Sequence, residues 1–350
     1  MDEATHTADV SVVMPAFNAG STIAEALDSV REQTLIPAEL VVIDDVSIDG
    51  TVEAVTAWLR GNSYQGPWPD SSVSRAAGQA SAGQGPSGGC ATARFRRPQG
   101  PPDVMLIRQP RNGGPAAARN CGMAGAAGEW IAFLDADDAW LPWRLEAQFE
   151  VLRHAPETLL VCGGFALYDA PGAARIAQPG DLARRVRAVE LKEFVDGNPV
   201  ATTTVLVRKQ VAISVGGFDE QFRGPEDMDL WVRVAAAGKV LALDAPLARY
   251  RERPGSLSMD PDRFLPQVVR VYDKAFGKGG ALRPLRHLRR QAIASRYTSA
   301  AWTYLACGRR WKALARLAWS WVILPGRLKV EQQHPLWRLI LLGKIFLNLK

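Results

Sequence analysis

Residues 131–138 read Ile131-Ala132-Phe133-Leu134-Asp135-Ala136-Asp137-Asp138, a short apolar run that delivers three carboxylates to its C-terminal end. A buried strand ending in spaced carboxylates is a platform for a divalent cation and a diphosphate. Strand alternation predicts Asp135 and Asp137 on one side, with small Ala136 between them pointing away. Hard oxygen ligands suit Mg²⁺ or Mn²⁺, which keep some waters and take the rest of their shell from substrate phosphates. An isolated Asp-x-Asp reads first as a solvated acidic turn after a core strand. What raises it above that is the rest of the chain.

Upstream, strand and helix signals alternate. Val10–Met14 is an apolar, β-branched run ended by Pro15 and followed by Phe17-Asn18-Ala19-Gly20. Ser21 or Thr22 is placed to cap a helix through Arg31, because Ile23, Ala26, Leu27 and Val30 share one face. Leu40–Ile43 predicts a second buried strand, ended by Asp44-Asp45; Asp49-Gly50-Thr51 then opens a helix with Val52, Val55 and Leu59 at helical spacing. Residues 61–103 break the pattern. They are rich in Gly, Ser, Gln and Pro, and are expected to form a flexible low-complexity insertion. Val104–Ile107 resumes as a third strand, and Asn112-Gly113-Gly114-Pro115 opens a small-residue helix over Ala116–Ala126. Strands separated by single helices imply an α/β fold, a mostly parallel sheet with helices on both faces. In such sheets ligands bind beyond the carboxyl ends of the strands, where Phe17, Asp45 and Asp135 all emerge.

At 350 residues and 47% hydrophobic, the chain can bury a sizeable core. One large α/β domain over residues 1–260 is expected, followed by a basic, mainly helical region over 261–350. The net charge of +6 hides a division: residues 263–350 hold 18 basic and 2 acidic side chains, while residues 1–262 hold 24 and 34. Two regions of opposite charge suggest two different jobs. Cys90, Cys121, Cys162 and Cys307 form no short-spaced pair, so neither a zinc nor a disulfide pattern follows, and a reducing cytoplasm is the simplest setting. The acidic start runs directly into a strand and does not read as a signal peptide. No uncharged apolar stretch is long enough to predict a conventional membrane span.

Five blocks together resemble the family 2 glycosyltransferases of GT-A fold, a Rossmann-like architecture. They are Val12-Val-Met-Pro-Ala-Phe-Asn18, Val41-Val-Ile-Asp-Asp-Val-Ser-Ile-Asp-Gly-Thr51, Asn112-Gly-Gly-Pro-Ala-Ala-Ala-Arg-Asn120, Gly128-Glu-Trp-Ile-Ala-Phe-Leu-Asp-Ala-Asp-Asp138 and Gly216-Gly-Phe-Asp-Glu220 with Pro225-Glu-Asp-Met-Asp-Leu-Trp231. The resemblance spans about residues 9–258 apart from the insertion. It implies transfer of one sugar from a nucleoside diphosphate, UDP favoured, to an acceptor hydroxyl with inversion at the anomeric carbon. By that resemblance Pro15 and Phe17 lie against the base, Asp45 accepts from its imide N–H with Asp44 the lesser candidate, and Arg119 closes the base pocket. Asp135 reaches the ribose or a metal-bound water, and Asp137 binds Mg²⁺ or Mn²⁺, which acts as a Lewis acid on the departing diphosphate.

Inversion also requires a general base within reach of the acceptor hydroxyl. The motif nominates Asp227, with Glu226 and Asp229 competing. A carboxylate crowded by acidic neighbours and partly desolvated has a raised pKa, which suits a base. The structural reading of the same residues is an acidic helix N-terminus stabilised by the macrodipole.

The chain departs from the family pattern in places. Where the family commonly shows Asp-Asp-Gly-Ser-Thr-Asp, Val46 stands at the Gly position, and a β-branched residue disfavours positive φ, so a differently shaped loop is expected. The segment Tyr250-Arg251-Glu252-Arg253-Pro254 carries Arg253 where the family often has His, which argues against a third metal ligand there and suggests a diphosphate contact. Residues 201–207 are strand-like, and resemble the family's acceptor-edge strand. No Gln-x-x-Arg-Trp segment of the processive synthases is present, which favours single-sugar transfer.

The tail reads as a helical hairpin, Leu285–Leu305 and Trp311–Val322, then a Leu/Ile-rich segment Leu336–Leu349 interrupted by Arg338 and Lys344. This last segment resembles an interfacial amphipathic helix, and the surrounding charge favours anionic lipid. The expected setting is therefore peripheral, on the inner face of the cell membrane, in synthesis of a cell-surface glycan or glycolipid from a glycan or lipid-linked acceptor. Nucleic acid is a poorer partner, since no recognised binding module accompanies the charge. A sugar nucleotidyltransferase is the alternative within the same broad fold, but Pro15–Ser21 lacks the Gly-rich, Lys-bearing loop that activity usually brings. A non-catalytic nucleotide-binding scaffold would have no need of Asp135, Asp137 and Asp227.

Overall fold

The computed structural model describes residues 7–67, 90–168, 185–252, 259–326, 328 and 336–347. The chain divides into two compact units. The first comprises Met1–Ala188, Val200–Glu220 and Gly238–Glu252; the second comprises Val189–Pro199, Gln221–Ala237 and Arg253–Lys350. The helix carrying Asp227 thus belongs with the C-terminal helices, a division that no single boundary at residue 260 produces.

The first unit is built on a ten-stranded mixed sheet. Its strands are β1 (Thr7–Ala16), β2 (Ile36–Asp44), β3 (Ala91–Phe95), β4 (Asp103–Arg108), β5 (Trp130–Phe133), β6 (Ala139–Trp140), β7 (Leu160–Leu167), β8 (Val186–Ala188), β9 (Leu206–Arg208) and β10 (Val240–Tyr250). They run in the order β3-β4-β2-β1-β5-β9-β7-β10-β6, with β8 also paired to β10. Strands β4, β2, β1 and β5 are parallel neighbours, whereas β9 is antiparallel to both β5 and β7. The parallel strands are near-continuous apolar runs because both faces are covered: Val10, Val12, Val13, Met14 and Leu40 to Ile43 are all fully buried. Each such side chain contributes roughly 1.5–3 kcal/mol on leaving water.

Register places the site. Ala16 pairs with Asp44 and Val13 with Phe133, so the chain leaves β1, β2 and β5 at one edge of the sheet. Helices α1 (Ile23–Arg31), α2 (Thr51–Gly61), α3 (Gly114–Gly125), α4 (Arg144–His154) and α5 (Lys209–Ser214) complete this unit. Helix α1 buries Ile23, Ala26, Leu27 and Val30, the face its spacing predicts. Helix α3 lies close on the sheet because Gly122 has no side chain: a Cβ there would stand 2.5 Å from Val13 Cγ1 and 2.6 Å from Ile43 Cδ1.

Three local expectations are revised. Of the low-complexity insertion, residues 68–89 lie outside the described residues, but Ala91–Phe95 forms a regular edge strand antiparallel to β4. The strand-like run 201–207 is broken: Thr202–Thr204 is a 3₁₀ turn, and the strand begins only at Leu206. There the Thr204 hydroxyl bonds the Ala201 carbonyl three residues back at 2.8 Å, a local contact that competes with the ladder.

Val46 is the third. Its φ is +65°, the left-handed conformation that a glycine adopts without strain, so the β-branched side chain does not keep the loop out of that region. Hydrogen bonds on either side hold it there. Asp44 Oδ1 accepts from the Ser47 amide at 3.1 Å, the Asn18 amide donates to Ser47 Oγ at 3.0 Å, and Asn18 Oδ1 accepts from the Ile48 amide at 3.0 Å. Farther on, the Ala19 amide donates to Thr51 Oγ1 at 2.8 Å and the Gly20 amide to Asp49 Oδ2 at 2.9 Å. Desolvation works to raise the Asp49 pKa, but the Thr51 hydroxyl and the Gly20 and Thr51 amides outweigh it and hold the pKa below the usual value.

The second unit is helical: α6 (Glu226–Ala237), α7 (Pro261–Phe276), α8 (Arg289–Ala306), α9 (Arg310–Ile323) and α10 (Trp337–Leu347), with a 3₁₀ turn over Leu191–Val195. Asp260 caps α7, accepting from the Asp262 amide at 3.1 Å with Pro261 in the first turn. The Tyr272 hydroxyl donates to the Phe194 carbonyl at 2.9 Å, fastening α7 to the 3₁₀ turn. Helices α8 and α9 form the expected hairpin around Ala301, Tyr304, Leu305, Ala313 and Leu317, with Leu341 and Ile345 of α10 completing that core. Arg338 is not a solvent-facing interruption of the last helix. It turns inward to donate to the Leu324 carbonyl at 2.7 Å and the Ser320 carbonyl at 3.1 Å, capping the C-terminus of α9.

The strained loop gives a direct test. Val46→Gly is expected to raise stability by about 1 kcal/mol, the relief of left-handed strain exceeding the added entropy of an unfolded glycine. The denaturant midpoint of the full chain would read this as an upward shift at unchanged m-value.

Candidate active site

The strand that opens the acidic segment stops at Phe133, and residues 135–138 form a tight turn closed by the Asp138 amide on the Asp135 carbonyl at 3.0 Å. Placement of the three carboxylates therefore follows turn geometry and not strand alternation. Asp135 and Asp137 are half-buried, whereas Asp138 is fully buried. The Thr22 hydroxyl donates to the Ala136 carbonyl at 2.9 Å, joining the turn to the loop after β1 in place of capping α1.

Each acid has a different supporter. Asp135 Oδ1 receives the Arg119 guanidinium at 2.7 Å; Arg119 is itself buried, with its cation 5.5 Å from the centre of the Phe218 ring. Asp138 Oδ1 accepts from the Arg251 amide at 3.0 Å, and Arg251 Nε donates to the Asp137 carbonyl at 3.1 Å. The same guanidinium reaches Glu25 at 2.7 Å and stacks on the Tyr168 ring at 3.8 Å. Burial first, then the charge of Asp135 and that of Asp137, push the Asp138 pKa up to about 8, against the opposing bond from the Arg251 amide. Tyr250 is pushed up to about 12 by burial and by the same three carboxylates, Asp138 foremost.

Around the other two loops, Phe17 stands half exposed just past β1, next to Pro15 and Ala16 of that strand. Asp45 is buried, with Oδ1 on the Gly113 amide and Oδ2 on the Gly114 amide, both at 2.8 Å. Those amides open α3, so Asp45 neutralises the positive end of the helix that carries Arg119. Asp44 is also buried, ion-paired to Arg108 at 3.2 Å. Arg253 lies outside the described residues.

In the second unit the three candidate bases separate by environment. Glu226 is 3% exposed, and its Oε2 accepts from the Gly224 amide at 2.7 Å. Asp229 is buried between Arg233 at 2.5 Å and Lys274 at 2.9 Å. Asp227 is half-buried; its Oδ2 accepts from Asn198 Nδ2 at 3.0 Å and its Oδ1 from the Met228 amide at 2.6 Å. It is the most accessible of the three.

Whether the acidic turn fits a cation can be judged from its donors. Among the described residues no three His, Cys, Asp or Glu side chains are arranged to hold a metal alone. The turn does concentrate three hard oxygen donors, with Asp138 buried between the Arg251 amide and the Thr203 hydroxyl. Burial raises the Asp138 pKa first, and the like charges of Asp135 and Asp137 add to it, so a cation at the turn would meet unbalanced negative charge. Such a site fits a Mg²⁺- or Mn²⁺-sized ion that takes most of its shell from water and a bound diphosphate.

Several contributors were missed in the sequence. Asp138 reads as part of the acidic segment but receives no separate role, and Tyr250 and Arg251 pass as flanks of Arg253. Nothing in the spacing signals that a residue about 110 positions downstream would fasten the turn.

Comparison with known proteins bears on the family and the fold. Residues 11–67 match the family described as glycosyl transferase family 2, and residues 107–278 match glycosyltransferase like family 2. The chain belongs to glycosyltransferase family 2. Among curated relatives, the succinoglycan biosynthesis protein ExoO of Rhizobium meliloti is 28% identical over 264 residues, 71% of this chain and 62% of that protein. The amylovoran biosynthesis glycosyltransferase AmsB of Erwinia amylovora is 25% identical over 254 residues, 69% of this chain and 68% of that protein. The chain thus spans about three fifths of the length of the succinoglycan protein. Among solved structures, S. aureus TarS 1-349 in complex with UDP-GlcNAc superposes with a TM-score of 0.58 at 17% identity, covering 90% of this chain and 81% of that one. The mannosyltransferase PcManGT from Pyrobaculum calidifontis, in complex with GDP-Man and Mn²⁺, gives 0.55 at 20% identity, covering 99% and 82%. The fold is of the GT-A type, an α/β sheet domain followed by C-terminal helices.

The buried acid makes the metal-free protein sensitive to pH. The Asp138 pKa is raised above its unfolded value of 3.8, so its stabilising contribution is complete below about pH 4 and is lost as pH rises toward 8. In EDTA, the melting temperature of Asp138→Asn is expected to gain on that of the natural chain between pH 5 and 8, measured by calorimetry at about one-unit pH steps.

Proposed function

We propose that the chain transfers a single sugar, with inversion, from a nucleoside diphosphate donor to an acceptor hydroxyl in the synthesis of a cell-surface polysaccharide or glycolipid. The observation that carries this reading is the convergence of the β1, β2 and β5 ends at one sheet edge, where an exposed aromatic ring and an acidic turn follow the strands of a family 2 chain. The relatives whose names refer to succinoglycan and amylovoran biosynthesis support the polysaccharide setting. UDP is the favoured nucleotide, and the UDP-GlcNAc bound by one structural neighbour is consistent with it.

In this reading Phe17 and Pro15 form the platform for the base. Asp45, through its remaining lone pairs, and Asp44 behind it serve the base N–H, while Asp45 also fixes the α3 terminus. Arg119 holds Asp135 in the orientation that meets the ribose or a metal-bound water. Asp137 is the direct ligand for Mg²⁺ or Mn²⁺, with Asp135 assisting, and Arg251 keeps the turn that presents them. A Mn²⁺ ion accompanies GDP-Man in the other neighbour. When bound, the cation neutralises charge on the departing diphosphate. Arg253 is assigned to the same diphosphate.

Asp227 is the base. Its carboxylate takes the acceptor hydroxyl proton as the acceptor oxygen bonds to the anomeric carbon and the bond from that carbon to the phosphate oxygen breaks. Asn198 and the Met228 amide hold the carboxylate still. Glu226, committed to the Gly224 amide, organises the turn before the helix. The acceptor is proposed to be a glycan or lipid-linked glycan at the inner face of the cell membrane.

Calorimetric titration with UDP, GDP, CDP and dTDP, each in Mn²⁺ and in EDTA, tests the donor half. One diphosphate is expected to bind in a metal-dependent way, and Asp137→Asn should weaken that binding at least about tenfold while leaving binding in EDTA unchanged. Asp227→Asn should leave nucleotide affinity within about twofold and cut sugar transfer by roughly 10²–10⁴. Loss of nucleotide binding in that variant would assign Asp227 to structure. Binding of none of the four would favour the scaffold.

A further inference from the structure

Among the described residues, the two last helices each expose a side that is mostly apolar, with Lys312, paired to Asp262, as the exposed cation on that of α9. In α9 the exposed positions Trp311, Ala315, Ala318, Trp319 and Val322 recur three and four apart, which places them on a single stripe. Trp311 is 76% exposed and Val322 65%. In α10 Leu339 and Phe346, and likewise Ile340 and Leu347, stand seven apart and so share one side, the later two 64% and 71% exposed. A solvated helix face ordinarily carries polar side chains, so two such stripes in one unit call for a partner.

The cations that interrupt α10 in the sequence do not dilute its stripe. Arg338 is buried beneath the helix on the carbonyls that end α9, and Lys344 lies 4.8 Å from the centre of the Trp302 ring. Arg309 and Arg310 are exposed at the start of α9, next in sequence to Trp311. Residues 263–350 as a whole carry 18 basic and 2 acidic side chains.

We propose that these stripes are one half-immersed docking surface for an anionic lipid bilayer. Tryptophan suits that position, because its ring is apolar and its indole N–H can stay wet. The surrounding positive charge complements acidic headgroups, whereas a second copy of the chain would bring +16 against +16. Helix α10, with 11 residues, is about 16 Å long and cannot cross a hydrocarbon core of about 30 Å. No described helix is long and apolar enough to do so. The attachment is therefore in the plane of the interface, and it uses α9 as much as the terminal helix that the sequence alone singles out.

This surface stands apart from the transfer reaction, and the two can fail separately. The test is co-sedimentation of the full chain with phosphatidylcholine vesicles, with and without about one third phosphatidylglycerol, at about 0.1 M salt. The natural chain is expected to sediment with the anionic vesicles only. Trp311→Glu with Phe346→Glu should weaken that binding at least tenfold while leaving circular dichroism and metal-dependent nucleotide binding unchanged. The milder Trp319→Ser should weaken it in the same direction. Failure of the natural chain to bind anionic vesicles, or equal binding by the Glu variant, overturns the proposal. So does a stable dimer in sedimentation velocity that the Glu variant dissolves, since the stripes then belong to a second copy. Nucleotide titration of the same samples reports separately on the donor reading.

Discussion

The Asp45 carboxylate, held between the Gly113 and Gly114 amides, is the contact on which the geometry of this sheet edge depends. It joins the loop after β2 to the start of α3 and meets the positive end of that helix with a negative charge. The helix is thereby held where Arg119 reaches Asp135, and Asp135 closes the turn containing Asp137 and Asp138. Close packing under the helix completes the arrangement, because Gly122 admits the β1 and β2 side chains where any larger residue would collide. A parallel sheet supplies only a common edge; these contacts turn the edge into a cradle of fixed shape.

The acidic turn is held together against its own repulsion. Three carboxylates lie within four residues, and Arg119 supplies a guanidinium to one of them. Arg251 contributes its amide to Asp138 and its side chain to a carbonyl, and pairs its charge with Glu25. The remaining imbalance shows in Asp138, which the protein favours in its neutral form. A cation with a diphosphate is the kind of ligand that relieves such a site, since it brings the charge that the turn lacks. The local arrangement costs stability wherever Asp138 must ionise.

Much of this was legible in the residues. The strands at 10–14, 40–43 and 104–107 were readable because both their faces are buried and their apolar runs are therefore unbroken. The helix over 23–31 was readable because burial of one face imposes its spacing. What eluded the sequence depended on distant partners. Val46 argued for a changed loop, but hydrogen bonds from the Ser47 and Ile48 amides to Asp44 and Asn18 outweigh its preference and hold it left-handed. Asp135 and Asp137 looked like alternating strand residues, yet the ladder ends before them. The threonines at 202–204 have β-forming side chains and still turn, since the Thr204 hydroxyl finds a carbonyl nearby. Of the candidate residues, the acidic segment, Arg119 and the Asp227 region were visible as residue types. The pairing of Arg119 with Asp135, the fastening by Arg251 and the sorting of Glu226, Asp227 and Asp229 appear only when the chain is folded.

Arg338 has a consequence for how the C-terminal unit comes apart. Its guanidinium belongs to the last helix but satisfies the carbonyls that end the one before it. Lifting α10 away would therefore strip the Leu324 carbonyl of its guanidinium donor and leave Ser320 only the Leu324 amide, so the end of α9 would loosen together with α10. Amide protons near Ser320 and Leu324 would then exchange at the rate set by detachment of a helix more than ten residues farther along. Helix α10 is thus a clasp, and its grip sets how long the preceding helix stays wound.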